Sequence, residues 1–390
     1  MYKIPDKHKS ALLIFLIVVL FIILLFLPIN IASNLGTGDF RPYWSSSYLL
    51  HQGQDFSDPV LMDEIERSLT GWDKSFTMMA WFAPTGMVIL LPFTLLPFEK
   101  SAFLWLLLNI LILCITAFLL WEKGNRKIWI PLVVIFAFPM TLLSLYVGQI
   151  NILVLFGLAI YLSLEKTENQ YLQGIGLALT TIKPHLVILT LPLIIVNSIY
   201  HKQWKIITGF FGVLLFSAII LFAFYPPWIN SFWNLISSGM STLRETPTIS
   251  GLIVHTTGQS WGKWLWIPGL VVLFIIWWIG KEKWHTEKFI LISIPLSLLI
   301  SPIGWGYDQI ILLIPILILL KQIVNKRTTK ELSTINIISL FFIYGISFAM
   351  RIYSPNEVWF FGVPLWILAI ILIFYNKSNL RKITSQFIDN

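Results

Sequence analysis

Asp39 and Lys183 are the residues of this chain whose type and setting best suit chemistry. Asp39 stands in the string G-T-G-D-F-R-P-Y-W, a few residues beyond a membrane-length apolar run. A carboxylate at a membrane surface is where an enzyme working on lipid-carried substrates would keep its general base. Arg41, Tyr43 and Trp44 stand beside it as candidate contacts for a sugar or an acceptor. The plainer reading of Asp39 is an N-cap for a helix that starts at Phe40. Lys183 stands in T-T-I-K-P-H, inside an apolar stretch. An ionisable group at that depth costs on the order of 3 kcal/mol, which makes it a functional candidate by default. Pro184 breaks the helix beside it, and His185 adds a second potential cation. A Lys-Pro-His break suits an anion such as a phosphate, for which lysine serves as a point charge. The plainer reading is a lysine that snorkels from a helix end. As the spans are threaded below, they contain no acid to pair with Lys183, so a lipid phosphate is its expected partner.

Three further strings carry candidates. Y-V-G-Q-I-N offers the amides of Gln149 and Asn151 to sugar hydroxyls, or else is a tight interhelical turn capped by Asn151. S-P-I-G-W-G-Y-D-Q offers the flat face of Trp305, the ring of Tyr307 and the acceptor Asp308. Its plainer reading is an interfacial aromatic belt with a helix-starting Asp. Arg351, at the outer end of a late helix, either meets a lipid phosphate or anchors the helix. Arg244 and His255 are weaker candidates, and Asp55 and Asp58 read as turn formers ahead of Pro59.

The elements that must position these residues are membrane helices. Hydrophobic residues make up 57% of the 390 and charged residues only 12%, whereas soluble domains carry about 25% charged residues. The chain is therefore read as an all-α polytopic membrane protein, one integral-membrane domain over 1–390. The net charge of +8 collects in short loops, which is an orientation signal and not a nucleic-acid footprint. The single Cys114 cannot form an intramolecular disulfide. No P-loop, no G-x-G-x-x-G after a strand and no zinc-type Cys/His pattern occurs, so a soluble nucleotide-binding domain is not expected. No metal site and no cofactor are expected either, since the outer acids are spread along their loop.

The apolar run 12–27 follows Lys3, Lys7 and Lys9 and reads as an uncleaved first span with a cytoplasmic N-terminus. The region after it, residues 31–98, is expected to be a long outer loop. Over residues 31–78 it holds seven acids against three bases, a net of −4. Residues 79–98 are apolar but contain Pro84, Pro92 and Pro97, which predicts a broken or re-entrant segment; the alternative is a full span over 79–97. The next spans are expected at 101–121, 128–146, 150–164, 171–183 and 184–199, with Lys123, Arg126 and Lys127 inside. Basic loops at 201–205, 281–288 and 321–330 then alternate with Pro-, Trp- and Gly-rich outer loops at 225–263, 301–308 and 351–357. The total is about twelve spans, with a short cytoplasmic tail at 376–390.

Taken in order, G-D-F-x-P-Y-W, a proline-bearing segment followed by W-L-L-L-N, G-Q-I-N, a G-x-G-L-A helix leading to K-P-H, and S-P-I-G-W-G-Y-D resemble glycosyltransferase family 87 over about residues 35–320. That family comprises polyprenyl-phosphate-mannose-type α-mannosyltransferases of the GT-C membrane fold. Its aromatic-Pro-Pro string is degraded here to W-F-A-P, residues 81–84. The resemblance implies an enzyme of the plasma membrane, acting at the outer face. It would take a hexose, mannose first, from a polyprenyl-phosphate donor to a lipid or glycan acceptor, inverting the anomeric centre. Asp39 would be the base. Lys183, His185 and Arg351 would hold the donor phosphate, and Trp305 or Trp44 would stack on sugar. Membrane lipids are the other expected partner, with no nucleic acid. The rival reading is a transporter or flippase of lipid-linked saccharide, which predicts ionisable groups along a midplane path and related halves. A non-catalytic scaffold would leave Asp39 and Lys183 unexplained.

Overall fold

The computed structural model describes residues 35–121, 127–165, 167–240, 246–283, 285–325, 330–353 and 356–373. The expected first span at 12–27, the basic residues Lys123 and Arg126, Arg244 and the tail at 376–390 lie outside the described residues. All regular structure among the described residues is helical.

Two short helices follow the described start, α1 (Phe40–His51) and α2 (Pro59–Thr70). Asp58, read as a turn former, is the N-cap of α2: its carboxylate accepts from the Val60 N–H at 2.8 Å, and proline takes the first helical position. Asp55 closes the turn before it, accepting from the backbone N–H of Ser57. The proline-bearing segment then forms α3 (Pro84–Leu90) and a tight 3-10 turn over Leu91–Leu95. It is followed by the long apolar helix α4 (Phe98–Leu120). The prolines divide this region as their missing N–H groups and ring clashes require.

Residues 128–146, expected as one span, are two helices: α5 (Trp129–Ala137) and α6 (Pro139–Val147), bent by 67°. The cause is Pro139, which pushes the residue before it out of the helical region. Phe138 is extended, at φ −73 and ψ 123. α7 (Asn151–Ser163) and α8 (Gln170–Leu179) come next, then α9 (Thr190–Tyr200) and α10 (Trp204–Phe224). The glycines of G-x-G-L-A set the approach of these helices. A Cβ on Gly174 would strike the Ile206 carbonyl oxygen on α10, and one on Gly176 would stand 2.7 Å from the Gly157 carbonyl oxygen on α7. Small residues at helix contacts let backbones close on each other in this way.

Among the described residues four helices are long and apolar enough to cross a membrane, Phe98–Leu120, Trp204–Phe224, Trp261–Gly280 and Gly306–Val324, and the bent pair α5–α6 makes a fifth if it counts as one span. Several of the other expected spans are short, such as α7 with 13 residues and α9 with 11. At about 1.5 Å per residue these fall short of a hydrocarbon core of about 30 Å. The buried core runs through the facing sides of these helices. α10 and the span ending at Gly280 turn Leu215, Phe216, Ile219, Val272, Ile276 and Ile279 outward.

Candidate active site

The start of α1, the break after α8 and the loop 301–308 converge on one cavity of about 260 Å³, with the turn between α6 and α7 behind its wall. Its polar wall is Asp39, Tyr43, Lys183 and Tyr307, and its flat apolar wall is Trp81 and Trp305. A strap of residues 76–79 closes another side.

Asp39 is the N-cap residue of α1, yet its side chain makes no capping bond. Its backbone N–H donates to the Val147 carbonyl at 2.7 Å, which fastens α1 to the end of α6. The carboxylate is left to accept from the Gln149 amide and the Tyr307 hydroxyl. Burial pushes Asp39 above the usual carboxylate range; the charge of Lys183 and the hydrogen bonds from Tyr307 and Gln149 pull it partly back. A carboxyl raised toward neutrality is a stronger general base than an ordinary aspartate.

Lys183 sits at the break itself. Its backbone stands at φ −130, ψ 75 between two 3-10 turns, Thr180–Ile182 and Pro184–Val187. The side chain is 2% exposed and does not snorkel. The expectation that no acid can partner it is corrected: its ammonium lies 3.0 Å from the Asp308 carboxylate, itself 1% exposed. A second N–H goes to the Gln149 carbonyl oxygen at 2.9 Å. An ammonium has three donors, and Lys183 also borders the cavity. The rings of Trp305 and Tyr307 flank it at 5.6 and 5.1 Å.

Asp308 was expected to meet sugar as an acceptor. Its oxygens are instead taken by Lys183, by the Trp305 backbone N–H at 3.1 Å, and by Asn151 at 3.4 Å, with His185 Nε2 at 3.6 Å. It organises the loop, including the helix start at Gly306–Leu312. Asn151 is not a cap. Its amide reaches the Tyr307 carbonyl at 2.8 Å and so ties α7 to the same loop. Gln149 stands behind the wall rather than in it, bonded to Asp39, Tyr43 and Lys183. His185 is close to Asp308 and edge-on to Trp305, with ring centroids 6.4 Å apart.

Two expected contacts lie elsewhere. The Arg41 guanidinium donates to the Thr70 carbonyl and is flanked by the Trp72 and Phe98 rings at 5.1 and 5.0 Å, so it clamps α1 to the end of α2. Trp44 is 2% exposed, stacks on Tyr48 and donates to the Phe93 carbonyl at 3.2 Å. Both are packing residues because the face of α1 that carries them lies against Phe93, Phe98 and the end of α2. The side chain of Arg351 lies outside the described residues.

Sequence reasoning passed over the strap and its anchors. Thr77 donates to Asp63 at 2.8 Å, and the Met78 N–H donates to the buried Glu66 carboxylate at 3.0 Å. Burial raises Glu66 to about 7, with the Met78 bond and Arg41 opposing. Trp81 was visible only as part of W-F-A-P. Its segment is held to the Lys183 break by the Ala83 N–H, which donates to the Ile182 carbonyl at 2.9 Å. Among the described residues no group of three or more His, Cys, Asp or Glu is placed to hold a metal ion.

The family model described as glycosyltransferase family 87 matches residues 81–302, more than half of the chain. Trp81, Gln149, Lys183 and His185 fall inside the matched stretch, while Asp39 and the residues 305–308 flank it. No curated protein and no solved structure matches the chain. With a match of that extent, the chain belongs to glycosyltransferase family 87, and its substrates are a sugar donor and an acceptor.

Proposed function

We propose that this membrane glycosyltransferase moves a hexose, mannose first, from a polyprenyl-phosphate donor to a lipid or glycan acceptor at the outer face of the plasma membrane. The observation that carries the reading is the meeting of Asp39 and Lys183 on one aromatic-walled cavity. A sugar on a lipid phosphate already has a good leaving group. The enzyme must deprotonate the acceptor hydroxyl and stabilise the charge that grows on the departing phosphate.

Asp39 takes the proton. Its carboxylate is held by Gln149 and Tyr307 and opens on the cavity. Lys183 meets the phosphate with the donor not used by Asp308 and Gln149. His185, beside Asp308, is the second cation when protonated. Trp81 and Trp305 give flat faces to the sugar ring. Attack from the Asp39 side with departure toward Lys183 inverts the anomeric centre. The fold we assign is GT-C-like, with about twelve spans when the short helices are counted and the region 31–98 on the outside. The polar groups gather at one cavity rather than along a midplane path, which favours transfer over transport.

The test is transfer from radiolabelled polyprenyl-phosphate mannose into a membrane-lipid extract by the purified full chain. Labelled product from the wild type, and none from Asp39→Asn, is the expected result. A well-folded wild type that consumes none of this donor while consuming a sugar nucleotide sinks the donor assignment.

A further inference from the structure

The side chain of Gln149 is fully buried, does not border the cavity, and touches three of the residues around it. Its amide nitrogen donates to Asp39. Its carbonyl oxygen accepts from the Tyr43 hydroxyl at 3.0 Å and from the Lys183 ammonium at 2.9 Å. These partners fix the amide's orientation. Turned over, it would set its NH₂ against two donors and its oxygen against a carboxylate. The backbone holds it as firmly. The Gln149 N–H donates to the Ser144 carbonyl at 2.8 Å, and the carbonyl of Gly148 accepts from the Trp105 indole at 2.9 Å.

We propose that Gln149 is a positioning residue for the transfer reaction: its carboxamide is a rigid spacer that holds the Asp39 carboxylate and the Lys183 ammonium at one fixed separation without touching substrate. The proposal rests on the reading of Asp39 as base and Lys183 as phosphate cation. Without the spacer, a carboxylate and an ammonium facing the same cavity are drawn into direct contact. That contact would quench both, leaving the base with a charged partner and the phosphate site with its charge spent. The amide prevents the collapse by giving each group a hydrogen bond of the right polarity. The ionisable groups around Asp39 are Lys183, Tyr307, Tyr43 and Asp308, so the amide is the neutral member of an otherwise titratable ring.

Two readouts test this on the full-length protein in lipid nanodiscs. The first is an infrared pH titration of protonated carboxyl bands, with the Asp39 band identified by its loss in Asp39→Asn. The second is the pH profile of kcat with radiolabelled polyprenyl-phosphate mannose. Gln149→Met keeps the length and removes the polarity, and Gln149→Glu keeps the shape and replaces the donor with a second carboxyl. In Gln149→Glu two carboxyls share one site, so the Asp39 titration should move up by about one pH unit or more. In Gln149→Met the titration should move down by a similar amount, because Asp39 closes on Lys183. The acid limb of kcat should follow in each case, with the acceptor KM within about threefold of wild type.

An Asp39 band that titrates alike in wild type and both variants, in proteins of unchanged Tm, overturns the proposal. So does an effect confined to KM, which would mean that Gln149 contacts sugar. If Gln149→Met fails to fold, the Gln149→Glu titration alone decides. Should Asp39→Asn keep its turnover, the base assignment fails instead, and the infrared titration still reports whether Gln149 sets the Asp39–Lys183 spacing.

Discussion

At the scale of single residues, the site sets an acid held by neutral donors, Asp39, beside a cation that shares a second acid, Lys183 with Asp308, and keeps one donor for the cavity. Asp39 is buried with two neutral hydrogen-bond donors and sits above its ordinary range. Its turnover should therefore fall as pH drops through a value above the usual carboxylate range, since the base works only when ionised. Asp39→Asn should lower transfer by about 10² or more and erase that acid limb; near-normal turnover by a folded variant would remove Asp39 from the role. Lys183 shares a buried ion pair with Asp308. Breaking such a pair from one side strands a charge and typically costs about 3–5 kcal/mol. Asp308→Asn should thus lower Tm markedly, whereas Lys183→Met with Asp308→Leu should recover much of the loss while remaining inactive. Equal Tm values for the single and double variants would show that the pair carries no such penalty. This pairing was not legible in the sequence. The partners are 125 residues apart, and Asp308 reads locally as a helix start, which it also is.

At the scale of elements, the turn Gly148-Gln149 is the joint on which the site depends. Gly148 has φ +74 and closes α6. A Cβ there would collide with the Gly36 carbonyl oxygen and approach the Phe40 Cβ to 2.8 Å. Gly148→Ala should cost about 1–2 kcal/mol from the backbone conformation alone. The collision would also push α1, with Asp39, away from Gln149, so activity should fall further than Tm predicts; a variant that loses Tm but keeps full kcat would contradict this coupling. The strap offers a second case at α2. Glu66 binds more protons folded than unfolded between its ordinary value and about 7, so its ionisation lowers stability as pH rises through that window. Glu66→Gln keeps an acceptor for the Met78 N–H and removes the charge. It should raise Tm at pH 8 relative to wild type and change it little at pH 4; a constant difference across that range would exclude the titration as cause. Part of this scale was legible: Asp55 forms the turn read ahead of Pro59 and Pro184 marks the break, whereas Asp58, read only as a turn former, also caps α2. The bend at Phe138 was missed although Pro139 announces it, because the apolar run on both sides reads as one span.

At the scale of the whole molecule, the proposed outward opening of the cavity rests on the charge pattern of the loops. The acidic region 31–78 carries Asp39, α1 and α2, and the structure joins it to the aromatic loop 301–308 through Tyr307 and Asp39. Both strings were read as outer from charge and composition, and they meet at one site. The basic loop 201–205 joins α9 to α10 at exposed residues. The number of crossings was less legible, since a run of apolar residues does not show whether a helix of 11 or 13 residues spans, half-spans or packs inside. Orientation can still be tested without that count. Cys114 is the single cysteine and is buried in α4, so a Cys114→Ser background is silent. Ser68→Cys on α2 and Lys205→Cys on α10 each place one exposed thiol on opposite sides by this reading. An impermeant thiol reagent on intact cells should label the first and spare the second, and permeabilised cells should label both. Labelling of Lys205→Cys with protection of Ser68→Cys would turn the cavity to the cytoplasm, and a donor presented on the outer leaflet could then no longer reach Asp39.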